Sequence, residues 1–289
     1  MIESAPAIGI IGGSGLYDIE GFSGRKEIRV ETPWGDPSDV LTGGTFAGRR
    51  VFFLPRHGRG HRILPHEINH RANIYALRSL GVRWIICVTA VGSLREEYAP
   101  RDIVLPDQFF DRTSQRERHT FFGGGIVAHV GFSHPVSAGL HAILHEVCQK
   151  QERRVHSHGT YVNMDGPAFS TRSESLANRK LGFDVIGMTN LPEAKLAREA
   201  EISLATLAMI TDYDCWKEEE EPVNAHTVMG HLAANAAAAK AVIDAAITLI
   251  PAVPDWPEHS ALDRALVTDR ELWPADTIGR LLPLLGRFL

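Results

Sequence analysis

The stretch ISLATLAMITDYD, residues 202–214, decides the fold. Ile202 to Ile210 is an apolar run that reads as a strand buried on both faces of a sheet. In open α/β sheets, ligands bind in the crevice outside the carboxyl ends of the strands. Asp212 and Asp214 follow the run at that end, and two positions apart in an extended chain means the same side. One carboxylate can then accept from a donor on a ligand ring while the other shares or delivers a proton. The plainer alternative is a pair of solvated loop carboxylates, and the neighbouring segments decide between the two.

Outward from this strand, sheet and helix signals alternate. Ala7 to Ile11 is a short buried strand that feeds the loop Gly12-Gly13-Ser14-Gly15, and Val51 to Leu54 is another, ending at Pro55-Arg56-His57. Glu67 to Leu80 carries Ile68, Ala72, Tyr75, Ala76 and Leu80 at helical spacing and is closed by Gly81. Trp84 to Val88 predicts a strand ending at Thr89-Ala90. Residues 136–150 predict a helix, Asp184 to Met188 a strand before Thr189, and Glu193 to Ala200 a helix. The Ala-rich segment from Ala225 to Leu249 predicts one long helix. Pro251 to Pro257 is the one strong linker signal, and it sets off a tail.

Chemistry collects at the ends of these strands. The glycine loop with Ser14 lets backbone N–H groups crowd round an anion, although its spacing is not the dinucleotide fingerprint. Arg56-His57 places a guanidinium where it could grip two phosphate oxygens. Thr89 with Ala90, and Thr189, each offer a hydroxyl or a backbone N–H at a strand end. Each feature alone is more simply a tight turn, a surface pair or a strand terminus. Together they predict one phosphate-sized site.

The 289 residues, 44% of them hydrophobic, suffice for one large α/β domain. A net charge of −5 without a stripe of Lys and Arg argues against nucleic acid as a partner. The start MIESAPAIGIIGG lacks the pattern of a signal peptide, and no stretch approaches ~18 uninterrupted apolar residues, so no membrane partner is expected. Cys87, Cys148 and Cys215 are odd in number and widely spaced, which fits a reducing cytoplasm. No metal is expected. His57 and His61 are separated by glycines that oppose a chelating helix, and His66 and His70 lack an intervening acid.

Eight segments resemble a known family: GIIGGSGL (9–16), the threonine and proline of ETPWGDPSD (31–39), PRHGRGH (55–61), TAVGSL (89–94), DQFFDRT (107–113), GPAFSTRSES (166–175), MTNLPEAKLA (188–197) and TDYDCWKEEEE (211–221). They are similar to the 5′-methylthioadenosine phosphorylases, a branch of the trimeric purine nucleoside phosphorylases, in register from about residue 8 to about residue 250. The resemblance implies a twisted mixed β-sheet flanked by helices. Residues 1–250 form the phosphorylase domain and 251–289 a tail packed on it. It also implies a homotrimer that cleaves the N-glycosidic bond with inorganic phosphate as co-substrate and no cofactor.

Carried over by position, the phosphate site comprises Ser14, Arg56, His57, Thr89, Ala90 and Thr189, with Ser14 standing where the family often has Thr. Met188 lies under the ribose, Phe169 beside the purine, and Asp212 and Asp214 read the base. Ala225, Val228 and Met229, on one helical face, form the pocket for the 5′-methylthio group, and His129 reaches it from a neighbouring subunit. The chain departs from the family at Asp165 and Ala168, where Glu and Arg are usual, and in the tail beyond Pro251. Turnover of 5′-methylthioinosine or of ordinary purine nucleosides is the nearest alternative. A nucleoside-binding module without turnover and a metal-dependent hydrolase are the rivals from other classes.

Overall fold

The computed structural model describes residues 5–13, 16, 22–217 and 225–289, with backbone alone for 225–229 and 232–234. In chain order its strands are β1 (Ala7–Gly12), β2 (Ser23–Ile28), β3 (Leu41–Phe46), β4 (Arg49–Pro55), β5 (Val82–Ser93), β6 (Ile103–Val104), β7 (Gln108–Asp111), β8 (Val155–His156), β9 (Thr160–Asn163), β10 (Val185–Gly187) and β11 (Ser203–Asp212). They join in one mixed sheet whose main path runs β2-β3-β4-β1-β5-β10-β9-β7, with β11, β6 and β8 branching from β5. The principal helices are α1 (His70–Ser79), α2 (Ala138–Lys150), α3 (Arg172–Lys180), α4 (Asn190–Glu199) and α5 (Ala225–Leu249).

The central strands are buried on both faces, which is why they read as unbroken apolar runs. On one face Ile8, Ile10, Trp84, Ile86, Leu207 and Met209 pack with Leu140 and Leu144 of α2 and Val242 and Ile243 of α5. On the other, Ile11, Ile85, Cys87 and Leu204 meet Ile74 and Leu77 of α1 and Ala194 and Ala197 of α4. Each fully buried Ile or Leu in these layers contributes roughly 1.5–3 kcal/mol relative to exposure.

Three elements differ from their sequence expectation by three residues or more at one end. The first helix begins at His70, not Glu67, because Pro65–Glu67 winds as a separate 3-10 turn and the Asn69 side chain caps the α-helix by accepting from Ala72 N at 3.2 Å. Helix α4 begins at Asn190, three residues before Glu193, since Pro192 in a first turn forfeits no intrahelical bond. The strand expected to end at Thr89-Ala90 runs on to Ser93.

That overrun has a cause in pairing. Along one edge β5 pairs with β1 as far as Ile11↔Cys87, and only at Gly92 and Ser93 does antiparallel β10 take up the same strand. Its other edge is held by β11 throughout, from Ser203↔Trp84 to Asp212↔Gly92. Val88 to Val91 therefore stay extended with one edge open, and the cavity described below lies there.

Residues 251–289 fold back on the sheet. Arg49 donates to the carbonyls of Ile250 and Pro251, and Trp256 meets Trp84 edge-on at 6.4 Å. Glu201 accepts from Leu262 N and Arg287, while Trp273, Leu281, Leu284 and Leu285 join the core beside α1.

Candidate active site

A cavity of about 380 Å³ opens against the free edge of β5, at the carboxyl ends of β1, β5 and β11. One end is lined by Gly13, Arg56, His57, Thr89, Ala90 and Thr189. The other is lined by Phe169, Ser170, Asp212 and Asp214, and Met188 also lines the cavity. Ser14 lies outside the described residues. Ala225, Val228 and Met229 are in the first turns of α5, with side chains outside the described residues; farther along, Asn235, Ala236 and Ala239 line the cavity. His129 is exposed, its backbone N donating to the Ala265 carbonyl, and it does not line this chain's cavity.

Arg56 is 1% exposed, and its surroundings change its expected part. The planar fork that could have gripped an anion faces Glu193 instead, with Nε to Oε1 at 2.5 Å and Nη2 to Oε2 at 2.9 Å. Nη1 donates to the Val88 carbonyl at 2.8 Å, satisfying an acceptor on the open edge of β5. Three of the five N–H donors are thus used, leaving one on each Nη.

Burial pushes the Glu193 carboxyl up, but the Arg56 charge and hydrogen bonds more than reverse this, and Glu193 is held below its ordinary value. Burial likewise opposes the charge on Arg56, and Glu193 outweighs it, so the guanidinium is held above its ordinary value. The Cys87 thiol and the Asn190 amide complete the carboxylate's partners, both donating to Oε2 at 3.3 Å. Removing one member of such a pair strands a buried charge at a cost of about 3–5 kcal/mol. Sequence reasoning assigned Glu193 no role. The available signal was its position on the inward face of α4 with Ala194 and Ala197, where an acid requires a partner.

Since Arg56 and Glu193 cancel, the attraction for an anion comes from N–H groups. Thr189 is the N-cap of α4, a ten-residue helix whose amino terminus points a partial positive charge at the same end of the cavity. His57 Nδ1 is bonded to the Ile63 carbonyl at 2.9 Å. Burial first, then the charges of Arg56 and His61, lower the His57 pKa to about 4 against the pull of that bond. The ring is therefore neutral, with Nδ1–H donating to Ile63 and Nε2 left as an acceptor.

The carboxylate pair is arranged by a turn and not by extended chain. Asp212 closes β11, and Asp214 has φ of 53°. Asp212 Oδ1 accepts from the backbone N of Asp214 at 2.7 Å, and Oδ2 accepts from the Thr211 hydroxyl at 2.7 Å. This local bonding supports a left-handed Asp, and it brings both carboxyls to one cavity although the extended geometry expected for them does not hold. Gly92 lets the turn lie close over β5, since a Cβ there would meet Asp212 Oδ1 at 3.0 Å. Asp214 is 7% exposed and its Oδ2 has no partner among the described residues. Burial raises its pKa, with the Ser175 and Ser170 hydroxyls pulling the other way.

Among the described residues, no group of three or more His, Cys, Asp and Glu could hold a metal ion, and no helix is long and apolar enough to cross a membrane.

The arrangement can hold an anion at one end and a proton-exchanging heterocycle at the other. The pattern of the Phosphorylase superfamily matches residues 7–248. The S-methyl-5′-thioadenosine phosphorylase of Geobacter sulfurreducens is 51% identical over 282 residues, covering 98% of this chain and 99% of its own. That of Gloeobacter violaceus is 51% identical over 97% of this chain and 95% of its own. Among solved structures, a methylthioadenosine phosphorylase from an antarctic soil metagenomic library is similar with a TM-score of 0.91 at 48% identity, over 97% of this chain and 99% of that one. The Schistosoma mansoni methylthioadenosine phosphorylase in complex with adenine follows with a TM-score of 0.85 at 35% identity, over 92% of this chain and 100% of its own.

These features define an α/β protein with a mixed sheet and, at its strand ends, a cavity lined by N–H groups and a carboxyl pair. The chain belongs to the Phosphorylase superfamily. The similarity extends into the tail beyond Pro251, which the motif resemblance does not reach.

Proposed function

We propose that this chain cleaves 5′-methylthioadenosine with inorganic phosphate, giving adenine and 5-methyl-5-thio-ribose 1-phosphate. The observation that carries this reading is a single cavity with an N–H-rich anion end and a carboxyl pair at the other, in a chain 51% identical to phosphorylases of that name. A phosphate oxygen attacks C1′ as the C1′–N9 bond breaks, and the departing purine takes a proton at N7. Positive charge grows on the ribose and negative charge on the ring. Phosphate against C1′ stabilises the first, and the acid stabilises the second.

In this reading Ser14, Thr89, Ala90 and Thr189 donate to phosphate. Arg56 contributes its two remaining N–H groups, and neutral His57 accepts the hydroxyl of a hydrogenphosphate. Binding the anion also raises the His57 pKa. Phe169 stacks beside the purine and Met188 lies under the ribose. The Asp212–Asp214 pair accepts from the exocyclic amine and donates to N7. An ionised carboxylate pairs poorly with the O6 of a 6-oxopurine, a mismatch worth about 1–3 kcal/mol, which favours adenine over hypoxanthine. Ala225, Val228 and Met229 enclose the methylthio group, and His129 reaches it from a neighbouring subunit.

We infer a cytoplasmic homotrimer that acts in purine and methionine salvage without metal or organic cofactor. Free Cys87, Cys148 and Cys215 support the reducing compartment.

Turnover of methylthioadenosine, methylthioinosine, adenosine and inosine, each with and without phosphate, tests the reading. Adenine should leave methylthioadenosine fastest, only in phosphate, and equally in EDTA. Equal release in phosphate-free buffer, or loss of activity in EDTA, overturns it.

A further inference from the structure

Two separate stretches of chain line the cavity opposite the anion end. Phe169 and Ser170 stand in the connection that leads into α3, and Asp212 and Asp214 in the turn after β11. In the reading above a purine lies between them, so the spacing of the two stretches decides how it is held. Asp214 is also left-handed, and a non-glycine residue keeps that conformation only where its surroundings hold it.

Trp216, two residues on, supplies that hold. Its indole N–H donates to the Ser93 carbonyl at 2.8 Å, at the end of β5 where β10 pairs with it. Its ring packs on the cluster of Leu94, Phe183 and Ile186, and Tyr213 meets it edge-on at 5.6 Å. Tyr213 in turn donates to the Glu96 carbonyl at 3.3 Å. The turn is thus fastened from outside, by contacts that do not involve either carboxyl.

The same indole is met from α3. The Arg179 guanidinium carbon lies 3.3 Å from its ring centre, so cation and ring face are in close contact. Nη1 of Arg179 is buried with no hydrogen-bond partner among the described residues, which leaves the indole face as what this end of the cation meets. Cys215 adds a second tie between the two stretches, its thiol donating to the Ser170 carbonyl at 3.3 Å. Neither Arg179 nor Trp216 lines the cavity, so both act through residues that do.

We propose that Trp216 and Arg179 are positioning residues for the purine. The indole pins the carboxyl turn to the end of β5, and the guanidinium stacked on it holds α3, with Phe169 and Ser170 ahead of it, at the spacing a base requires. This inference rests on the phosphorolytic reading above.

The test uses Arg179→Met, which keeps the length of the side chain without its charge, and Trp216→Phe, which keeps a ring without its N–H. Phosphate and nucleoside are varied separately, and methylthioadenosine is compared with methylthioinosine. For each variant kcat/KM for methylthioadenosine should fall roughly 5- to 30-fold. The KM for phosphate should stay within about twofold, since the anion end shares none of these contacts. Preference for methylthioadenosine should shrink, because a displaced carboxyl pair no longer meets the exocyclic amine. Arg179→Lys, which retains a cation to set over the ring, should recover part of the Arg179→Met loss. The double variant should lose less than the product of the single losses, as expected for two halves of one stack. Unchanged kcat/KM and preference, a phosphate KM that rises with that of the nucleoside, no recovery by lysine, or losses that simply multiply would each overturn the proposal. If the unmodified enzyme turns over without phosphate, or takes methylthioinosine as readily, the reading of the site itself has failed. If it passes both tests and the variants are indifferent, only the role of the stack has.

Discussion

A carboxyl group can hand a proton to a purine near neutral pH only if its surroundings raise its pKa. Asp214 is placed for this by burial, while the Asp214 backbone N–H and the Thr211 hydroxyl bond to the two oxygens of Asp212. In the proposed reaction protonated Asp214 is the acid. On that reading kcat should fall as pH rises through the Asp214 pKa, which burial sets above the ordinary 3.8. Asp214→Asn should lower kcat for adenine release by about 10²–10³-fold and flatten that limb. Rate–pH profiles of both proteins check this, and a variant with full rate and the same limb would remove Asp214 from the chemistry. Asp212 and Asp214 were legible because two acids closing an apolar strand fall where α/β sheets bind ligands. The turn joining them was not, since an Asp in the left-handed region leaves no pattern in one sequence. Glu193 was harder still, because its partner Arg56 lies 137 positions away.

At the scale of elements, α4 ties the anion end to a distant loop. Its amino terminus faces the cavity, and at its carboxyl end Glu199 accepts from the Thr120 hydroxyl at 2.8 Å and from Phe121 N at 2.7 Å. Burial raises the Glu199 pKa to about 7, against the pull of those two bonds. Its folded pKa thus lies above the unfolded value near 4.5, so its contribution to stability is full below about 4.5 and is lost as pH rises through about 7. Glu199→Gln cannot ionise, and should flatten stability between those limits by about 2–3 kcal/mol. Urea unfolding at pH 4.5 and pH 8 measures the difference; the same pH slope in both proteins would rule it out. Where the sequence carried a clear apolar run or helical stripe the element type was legible, and Ala225–Leu249 was read as the helix it is, whereas β2, β3, β6 to β9 and α3 were not expected. Boundaries failed where a tertiary partner set them. Asn69 starts α1 late, and β10 draws β5 on past Ala90.

For the whole molecule, the proposed trimer makes a prediction that no single chain can satisfy. His129 is exposed and away from its own cavity, as a residue serving a neighbour must be. Mixing a variant disabled at Asp212 with one carrying His129→Trp should restore activity above either parent, because some sites then draw sound copies of both residues. Scattering should give a mass near three times 31.8 kDa. Failure to complement together with a fully active monomer would defeat the shared site. Where β5 changes neighbours from β1 to β10, one end of the cavity is furnished by main chain, a helix terminus and a buried ion pair, while the rest is furnished by a turn and by the face of α5. In the proposed reaction, capture of the nucleophile and choice of the leaving group thus fall to separate parts of the fold, so point substitutions in the turn or on the face of α5 should change the nucleoside accepted while phosphate binding stays as it is.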